Sequence, residues 1–325
     1  MPLVAYFCIM KIFLAQQNYH IGNFESNTQK IICAIEEAKK QGGDIIIFSE
    51  LCVCGYPPRD FLEFDDFIKK CYAAIDQIKQ HADTIAVIVG GPERNHVKEG
   101  KDLFNAAFFL YNKEIKAIAH KTCLPTYDVF DEYRYFEPAY NWNIIEFKGK
   151  RLAVTICEDI WNLGNNPLYR ICPMDELIKQ APDFMVNISA SPFDYTHVED
   201  RKAIIKKNVA KYNIPMLYCN TVGSQTEIVF DGASLIFDKN ANLCKAFPMF
   251  REAMEGVVLH DLKEGPMARL YSPQRSTRRY LALPIRNRSW FWPRKQASSS
   301  RTKFRPSTRC SATFTPRTRP SATTR

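Results

Sequence analysis

The sequence predicts an α/β fold in which mixed β-sheets are covered by helices. Two observations carry this. Strand-like and helix-like stretches alternate through the first half of the chain, and paired strands joined by tight turns recur through the second. At 325 residues the chain is long enough to bury a large core in one such domain, or in two small ones.

The elements follow in order. Asn23 or Ser26 caps a helix that runs to Lys40, with Ile31, Ile32, Ala34, Ile35 and Ala38 on its apolar stripe and Gly42–Gly43 ending it. Asp44 to Ser49 reads as a strand buried on both faces. A second helix is expected at about Leu62 to Gln80, and a second buried strand, Thr84 to Val89, is expected to stop at Gly90–Gly91. Phe104 to Tyr111 and Glu114 to His120 form a hairpin through Asn112–Lys113, and Ile144 to Phe147 and Leu152 to Ile156 form another through Lys148–Gly149. Asp183 to Ile188 is a strand, His197 to Tyr212 a helix and Ile214 to Cys219 a strand. Ala233 to Phe237 and Leu243 to Phe247 bracket a turn at Lys239–Asn240, and no internal repeat is found.

Composition excludes several classes. No apolar run approaches the ~20 residues that span a bilayer. Met1 to Ile9 lack a basic n-region and a cleavage site, so they are not read as a signal peptide, and Met10 can be the start of the folded chain. Eleven cysteines scattered through apolar runs point to a reducing, cytoplasmic compartment. Cys52–Val53–Cys54 has no second Cys or His pair at ligand spacing, so no metal is expected. Residues 266–325 hold fifteen basic residues and no acidic one, whereas the remainder holds 29 basic and 35 acidic. This tail lacks periodicity and reads as disordered, or as a non-native end translated out of frame. The alternative, a basic arm for nucleic acid, is the less favoured reading.

Three strands read as buried end in residues foreign to an apolar core. Ile45 to Ser49 ends at Glu50, Ile115 to His120 at Lys121, and Leu152 to Ile156 at Cys157. Taken singly, each has a bland explanation: a small core residue, a solvated carboxylate, a surface amine. Together they form a kit for attacking an amide, because strand ends are where α/β folds build sites. A thiol needs its proton removed before it is a good nucleophile. Glu50 can remove it, Cys157 can attack the amide carbon, and Lys121 with the backbone N–H of Glu158 can stabilise the oxyanion.

The segments around these residues resemble the nitrilase, or carbon–nitrogen hydrolase, superfamily over roughly Met10 to Gly265. They are Phe48–Ser49–Glu50–Leu51 with Gly55–Tyr56–Pro57, then Lys121 to Tyr127 running on to Phe136, then Ile156–Cys157–Glu158–Asp159–Ile160–Trp161. The strings from Leu124 to Glu132 and from Asn187 to Phe193 are most similar to the N-terminal glutaminase domain of glutamine-dependent NAD+ synthetases. The resemblance implies an α-β-β-α sandwich, Cys157, Glu50 and Lys121 as catalytic residues, hydrolysis of L-glutamine to L-glutamate and ammonia, and no cofactor for that reaction. It implies glutamine contacts from Tyr127 and Ser191, a place for Glu158 beside the substrate, and a role for Glu132 in orienting Lys121 and the substrate. His197 stands where that family has a substrate-binding lysine, and Arg201, one turn further on, is a candidate to compensate. A homo-oligomer is implied too. The synthetase domain that would use ATP, deamido-NAD+ and the ammonia is not recognisable here, so an NAD+ synthetase domain or subunit is the expected ammonia acceptor. The rival readings are an ω-amidase-like hydrolase of another small carboxamide and a non-catalytic remnant.

Overall fold

The computed structural model describes residues 10–163 and 168–264. The expectations for the first nine residues and for the basic tail lie outside the described residues.

The chain begins with β1 (Lys11–Gln16), α1 (Phe24–Lys40), β2 (Ile45–Ile47), α2 (Asp65–His81), β3 (Ala86–Arg94), β4 (Leu103–Tyr111) and β5 (Glu114–His120). It continues through β6 (Ile145–Phe147), β7 (Lys150–Ile156), α3 (Pro173–Leu177), β8 (Phe184–Ser189), α4 (His197–Tyr212) and β9 (Met216–Asn220). The last elements are β10 (Val222–Gln225), β11 (Ile228–Asp231), β12 (Leu235–Phe237), β13 (Leu243–Ala246), β14 (Ala253–Val258) and α5 (Leu259–Glu264).

Two six-stranded mixed sheets result, in the orders β14-β1-β2-β3-β4-β5 and β13-β12-β9-β8-β7-β6, with β10–β11 as a separate ribbon. β1, β2 and β3 are mutually parallel, as are β7, β8 and β9, and the flanking strands pair antiparallel.

Side-chain alternation sets the layers. Ile12, Ile47 and Ile88 of the first sheet share one buried cluster with Val154, Val186 and Leu217 of the second, so the two sheets pack face to face. Their neighbours in sequence point the other way. Phe13, Ile46 and Val87 meet Ile31 and Ile35 of α1 and Ile75 of α2. Ala153, Met185 and Met216 meet Ile204, Ile205 and Val209 of α4. The order is therefore helix, sheet, sheet, helix, as expected.

Three readings are corrected. β3 does not stop at Gly90–Gly91 but runs on to Arg94 against β4. The glycine is there for clearance: a Cβ on Gly90 would lie 2.4 Å from the Leu51 nitrogen and 2.6 Å from the Ser49 oxygen. The turn carrying Glu50 thus rests on the strand backbone. β5 is not buried: Glu114, Ile115 and Lys116 are exposed, because β5 is an edge strand with one neighbour. The second helix starts at Asp65, after a 3₁₀ turn over Arg59–Glu63. The sequence reading also passed over β1, β10, β11, β14 and the short helices. β14 is hidden in the sequence because Glu255 and Gly256 interrupt its apolar run, yet it pairs along all of β1.

Candidate active site

Glu50, Lys121 and Cys157 come from three strand ends, and two of them are in direct contact. Lys121 Nζ donates to Glu50 Oε1 at 2.8 Å and to Glu132 Oε1 at 2.7 Å, with the Lys121 side chain completely buried. Burial opposes a charge on Lys121, but the carboxylates of Glu132 and Glu50 outweigh it and hold the amine protonated. Burial pushes Glu132 up to about 7, against the pull of Lys121. Tyr56 OH also donates to Glu132, at 2.8 Å. The expected contact between Glu132 and Lys121 is present.

Cys157 is the first residue of a 3₁₀ turn after β7 and adopts φ +45°, a left-handed conformation that a non-glycine residue rarely takes. Leu51, just after Glu50, has the same φ. Burial raises the Cys157 thiol well above its ordinary range, the Glu50 carboxylate adds to this, and Lys121 opposes it. The thiol is therefore neutral at rest and lies within the electrostatic reach of both partners.

Asp159 locks two of the strand ends together. Its Oδ1 accepts the backbone N–H groups of Thr122 (2.9 Å) and Cys123 (2.8 Å), and its Oδ2 accepts that of Ile156 (2.9 Å). The second sheet contributes the N–H of Ala190, which donates to Glu50 Oε2 at 2.9 Å, and Asn187 Nδ2, which donates to the Cys157 carbonyl at 3.4 Å.

A cavity of about 270 Å³ opens onto Cys157. Glu158, Tyr127, Ser191, His197 and Trp161 line it with the cysteine, so every expected substrate contact except Glu132 is on its wall. Tyr127 OH donates to the Glu158 carboxylate, 2.9 Å from Oε2, and burial pushes Glu158 up to about 7. Ser191 N–H donates to Asn220 Oδ1 at 2.9 Å, and Ser191 Oγ accepts from Arg201 at 3.3 Å. Arg201 is fully buried and forked onto Asp231 through two 3.0 Å bonds. It does not line the cavity, so it cannot replace a substrate-binding lysine directly. His197 opens α4, packs its ring 5.1 Å from that of Trp161, and is lowered by burial and by Arg201, hence neutral near pH 7.

Cys157 lines the cavity, whereas Glu50 and Lys121 do not: they are buried, bonded to each other and within electrostatic reach of the thiol. The profile of the carbon–nitrogen hydrolase family matches residues 11–264. The chain belongs to the carbon–nitrogen hydrolase family. It is an enzyme of that type, and its relatives are consistent in kind. The glutamine-dependent NAD+ synthetase of Synechocystis sp. is 34% identical over 263 residues, which cover 79% of this chain and 47% of that protein. The enzyme of the same description from Thermotoga maritima is 32% identical, covering 85% and 46%. This carbon–nitrogen hydrolase therefore spans about half the length of the curated relatives it matches. Among solved structures, the glutamine-dependent NAD+ synthetase of Acinetobacter baumannii matches with a TM-score of 0.70 and 31% identity over 76% of this chain and 45% of that one. An amidase from a Nesterenkonia species matches with a TM-score of 0.66 over 76% and 92%, and at 19% identity it speaks for the fold alone.

Sequence reasoning missed Asn105, Tyr56, Asp159 and Ala190 as parts of the site. Asn105 had a signal: it is a lone amide inside the apolar run Phe104 to Leu110. Among the described residues no cluster could hold a metal ion, and no helix is long and apolar enough to cross a membrane.

Proposed function

We propose that this carbon–nitrogen hydrolase cleaves the side-chain amide of L-glutamine to L-glutamate and ammonia, with Cys157 as nucleophile, Glu50 as general base and acid, and Lys121 facing the oxyanion. The observation that carries this reading is the fully buried Lys121 ammonium, held between Glu50 and Glu132 within reach of the cavity-lining Cys157. An unpaired lysine there would be costly, and a structural fold has no use for it beside a strained cysteine.

The steps balance without metal or organic cofactor. Glu50 takes the thiol proton as the Cys157 sulfur bonds to the amide carbon. Negative charge on the carbonyl oxygen is met by Lys121 and the N–H of Glu158, and such donors are typically worth about 3–4 kcal/mol each. Collapse of the adduct breaks the C–N bond, and Glu50 returns the proton to the departing ammonia. Water, deprotonated by Glu50, then hydrolyses the thioester and regenerates the thiol. The Tyr127–Glu158 pair suits the substrate's ammonium group, and Ser191 and His197 suit its carboxylate. The relatives' names and doubled length support delivery of the ammonia to an NAD+ synthetase domain or subunit, the part that would use ATP and deamido-NAD+. A homo-oligomer is part of the same reading.

One observation favours a second substrate. The cavity wall carries Asp128, Glu158, Asp194 and Glu227 but neither lysine nor arginine. A small carboxamide that carries no carboxylate would avoid placing a negative charge there, whereas the ω-amidase-type substrate α-ketoglutaramate keeps glutamine's carboxylate and lacks only its ammonium group. Rates on glutamine, α-ketoglutaramate and a carboxylate-free amide separate the two. The primary test is mass spectrometry after incubation with 6-diazo-5-oxo-L-norleucine. One adduct on Cys157, lost in Cys157→Ala, is expected; an unmodified Cys157 beside rapid turnover of other amides would remove glutamine as the substrate.

A further inference from the structure

The donors around Glu50 are unequal in what they touch. Glu50 Oε1 accepts from Lys121 Nζ at 2.8 Å and from Asn105 Nδ2 at 2.7 Å, and among the described residues Oε2 accepts the Ala190 N–H alone, at 2.9 Å. The same Asn105 Nδ2 lies 3.4 Å from Glu132 Oε2. One amide therefore contacts both carboxylates that flank Lys121. Its own strand fixes it there, because the Asn105 carbonyl accepts the Lys121 N–H at 2.9 Å, so side chain and backbone hold the same ion triplet.

Asn105 is completely buried, and its Oδ1 has no donor among the described residues. Turning the amide over would pair Nδ2 with nothing and press Oδ1 against two carboxylate oxygens. The donor orientation is thus dictated by charge, at the expense of one unpaired acceptor. Packing alone would have chosen an apolar residue, as at Ala106, Ala107 and Phe108 beside it.

We propose that Asn105 is a positioning residue that holds the Glu50 carboxylate against Lys121, with Oε1 tied to both and Oε2 left to meet the thiol proton. The inference rests on the proposed role of Glu50 as base. A hydrogen bond favours the charged form of the carboxylate it approaches more closely, and here the distances are 2.7 Å to Glu50 against 3.4 Å to Glu132. With Oε1 occupied twice, Oε2 keeps a lone pair for the thiol proton. The other groups facing the pair are Lys121, the Tyr56 hydroxyl on Glu132, Cys157 and Glu158, and none of these reaches both carboxylates by a neutral donor.

The test is the pH dependence of Cys157 alkylation by chloroacetamide, an amide electrophile that needs no glutamine site. It is followed by mass spectrometry in the intact chain, with a thermal melt of each variant. In the wild type the rate should fall on an acid limb that Glu50→Gln abolishes together with most of the reactivity. In Asn105→Leu the limb should move up by about one pH unit, and the rate near the foot of the limb should drop about tenfold while the alkaline plateau stays within about threefold. Asn105→Asp, nearly the same shape but a third carboxylate, should move it further and covers the case in which the leucine variant does not fold. A purely structural asparagine would lower the melting temperature and leave the limb in place, which overturns the assignment. Reactivity indifferent to Glu50→Gln would instead remove the base role itself, and this inference with it.

Discussion

The carboxylate of Asp159 accepts the backbone N–H of Thr122 at 2.9 Å, so the residue after Lys121 is fastened to the second residue after Cys157. The two strand ends belong to different sheets, and no ladder joins them. Asp159 thus adds, to the face-to-face packing of the sheets, a polar tie between the ammonium's strand end and the thiol's through Cys123 and Ile156.

Replacing Asp159 tests that tie. Asp159→Ala leaves three buried N–H groups without an acceptor and should destabilise the fold by about 3–5 kcal/mol. Asp159→Asn keeps one acceptor oxygen but turns an N–H toward another N–H, and should cost about half as much. Its catalytic rate should fall on the order of a hundredfold, because small displacements of reacting groups are expensive. Urea denaturation and amide turnover of both variants are the measurements; an asparagine variant of full activity would contradict the fastening role.

Gly90 and Gly91 form a matched pair on β3. A Cβ at Gly90 would meet the Leu51 nitrogen at 2.4 Å, whereas one at Gly91 would meet chiefly the Val53 Cγ2, at 2.9 Å. Backbone cannot yield as a methyl group can. Gly90→Ala should lower turnover about a hundredfold by pushing Glu50 away from Lys121, and Gly91→Ala should cost about 1–2 kcal/mol of stability with turnover nearly kept. Equal activity in the two purified variants would refute the distinction.

Burial pushes Glu158 up to about 7, well above the value of a free glutamate. The folded state thus holds a proton that the unfolded chain has released, and stability contributed by this group is present below the unfolded value and lost as pH rises through about 7. Glu158→Gln removes the dependence. Relative to wild type, the glutamine variant should gain on the order of 2–3 kcal/mol between mildly acidic and mildly alkaline conditions. Parallel urea denaturation curves for the two proteins at both ends of that range would show the carboxylate to be unperturbed.

His197 is the cavity-lining group closest to a cation, and burial and Arg201 keep it neutral. His197→Lys should lower the KM for glutamine roughly tenfold by pairing its carboxylate, as expected for one charge-assisted bond, and leave the KM for a carboxylate-free amide unchanged. An equal change for both substrates would mean that the residue shapes the cavity rather than reads charge. Steady-state kinetics on the two amides decide it.

Much of this site was legible because it lies at the ends of strands. Glu50, Lys121 and Cys157 close apolar runs, whereas Tyr127, Ser191 and His197 were picked out only by the family resemblance. Asn105 and Asp159 were harder to read because each looks like an ordinary polar residue until its partners are known. Asn105 meets Glu50 across 55 residues of chain, and Glu50 meets Ala190 across 140. Arg201 was misjudged for the same reason: helical spacing puts it near His197, but only Asp231, 30 residues on, decides where its guanidinium points.

The sequence by itself determined the layered α/β plan, the three chemistry-bearing strand ends and the family pattern, because alternation and chain punctuation are local properties of a polymer in water. Only the tertiary structure decided which carboxylates share the Lys121 proton donor, that the thiol and His197 rest uncharged, and that a glycine must sit beneath the Glu50 turn. Those depend on burial and on distances between segments remote in sequence, where a change of an ångström or a lost water shell reverses which charge state is favoured.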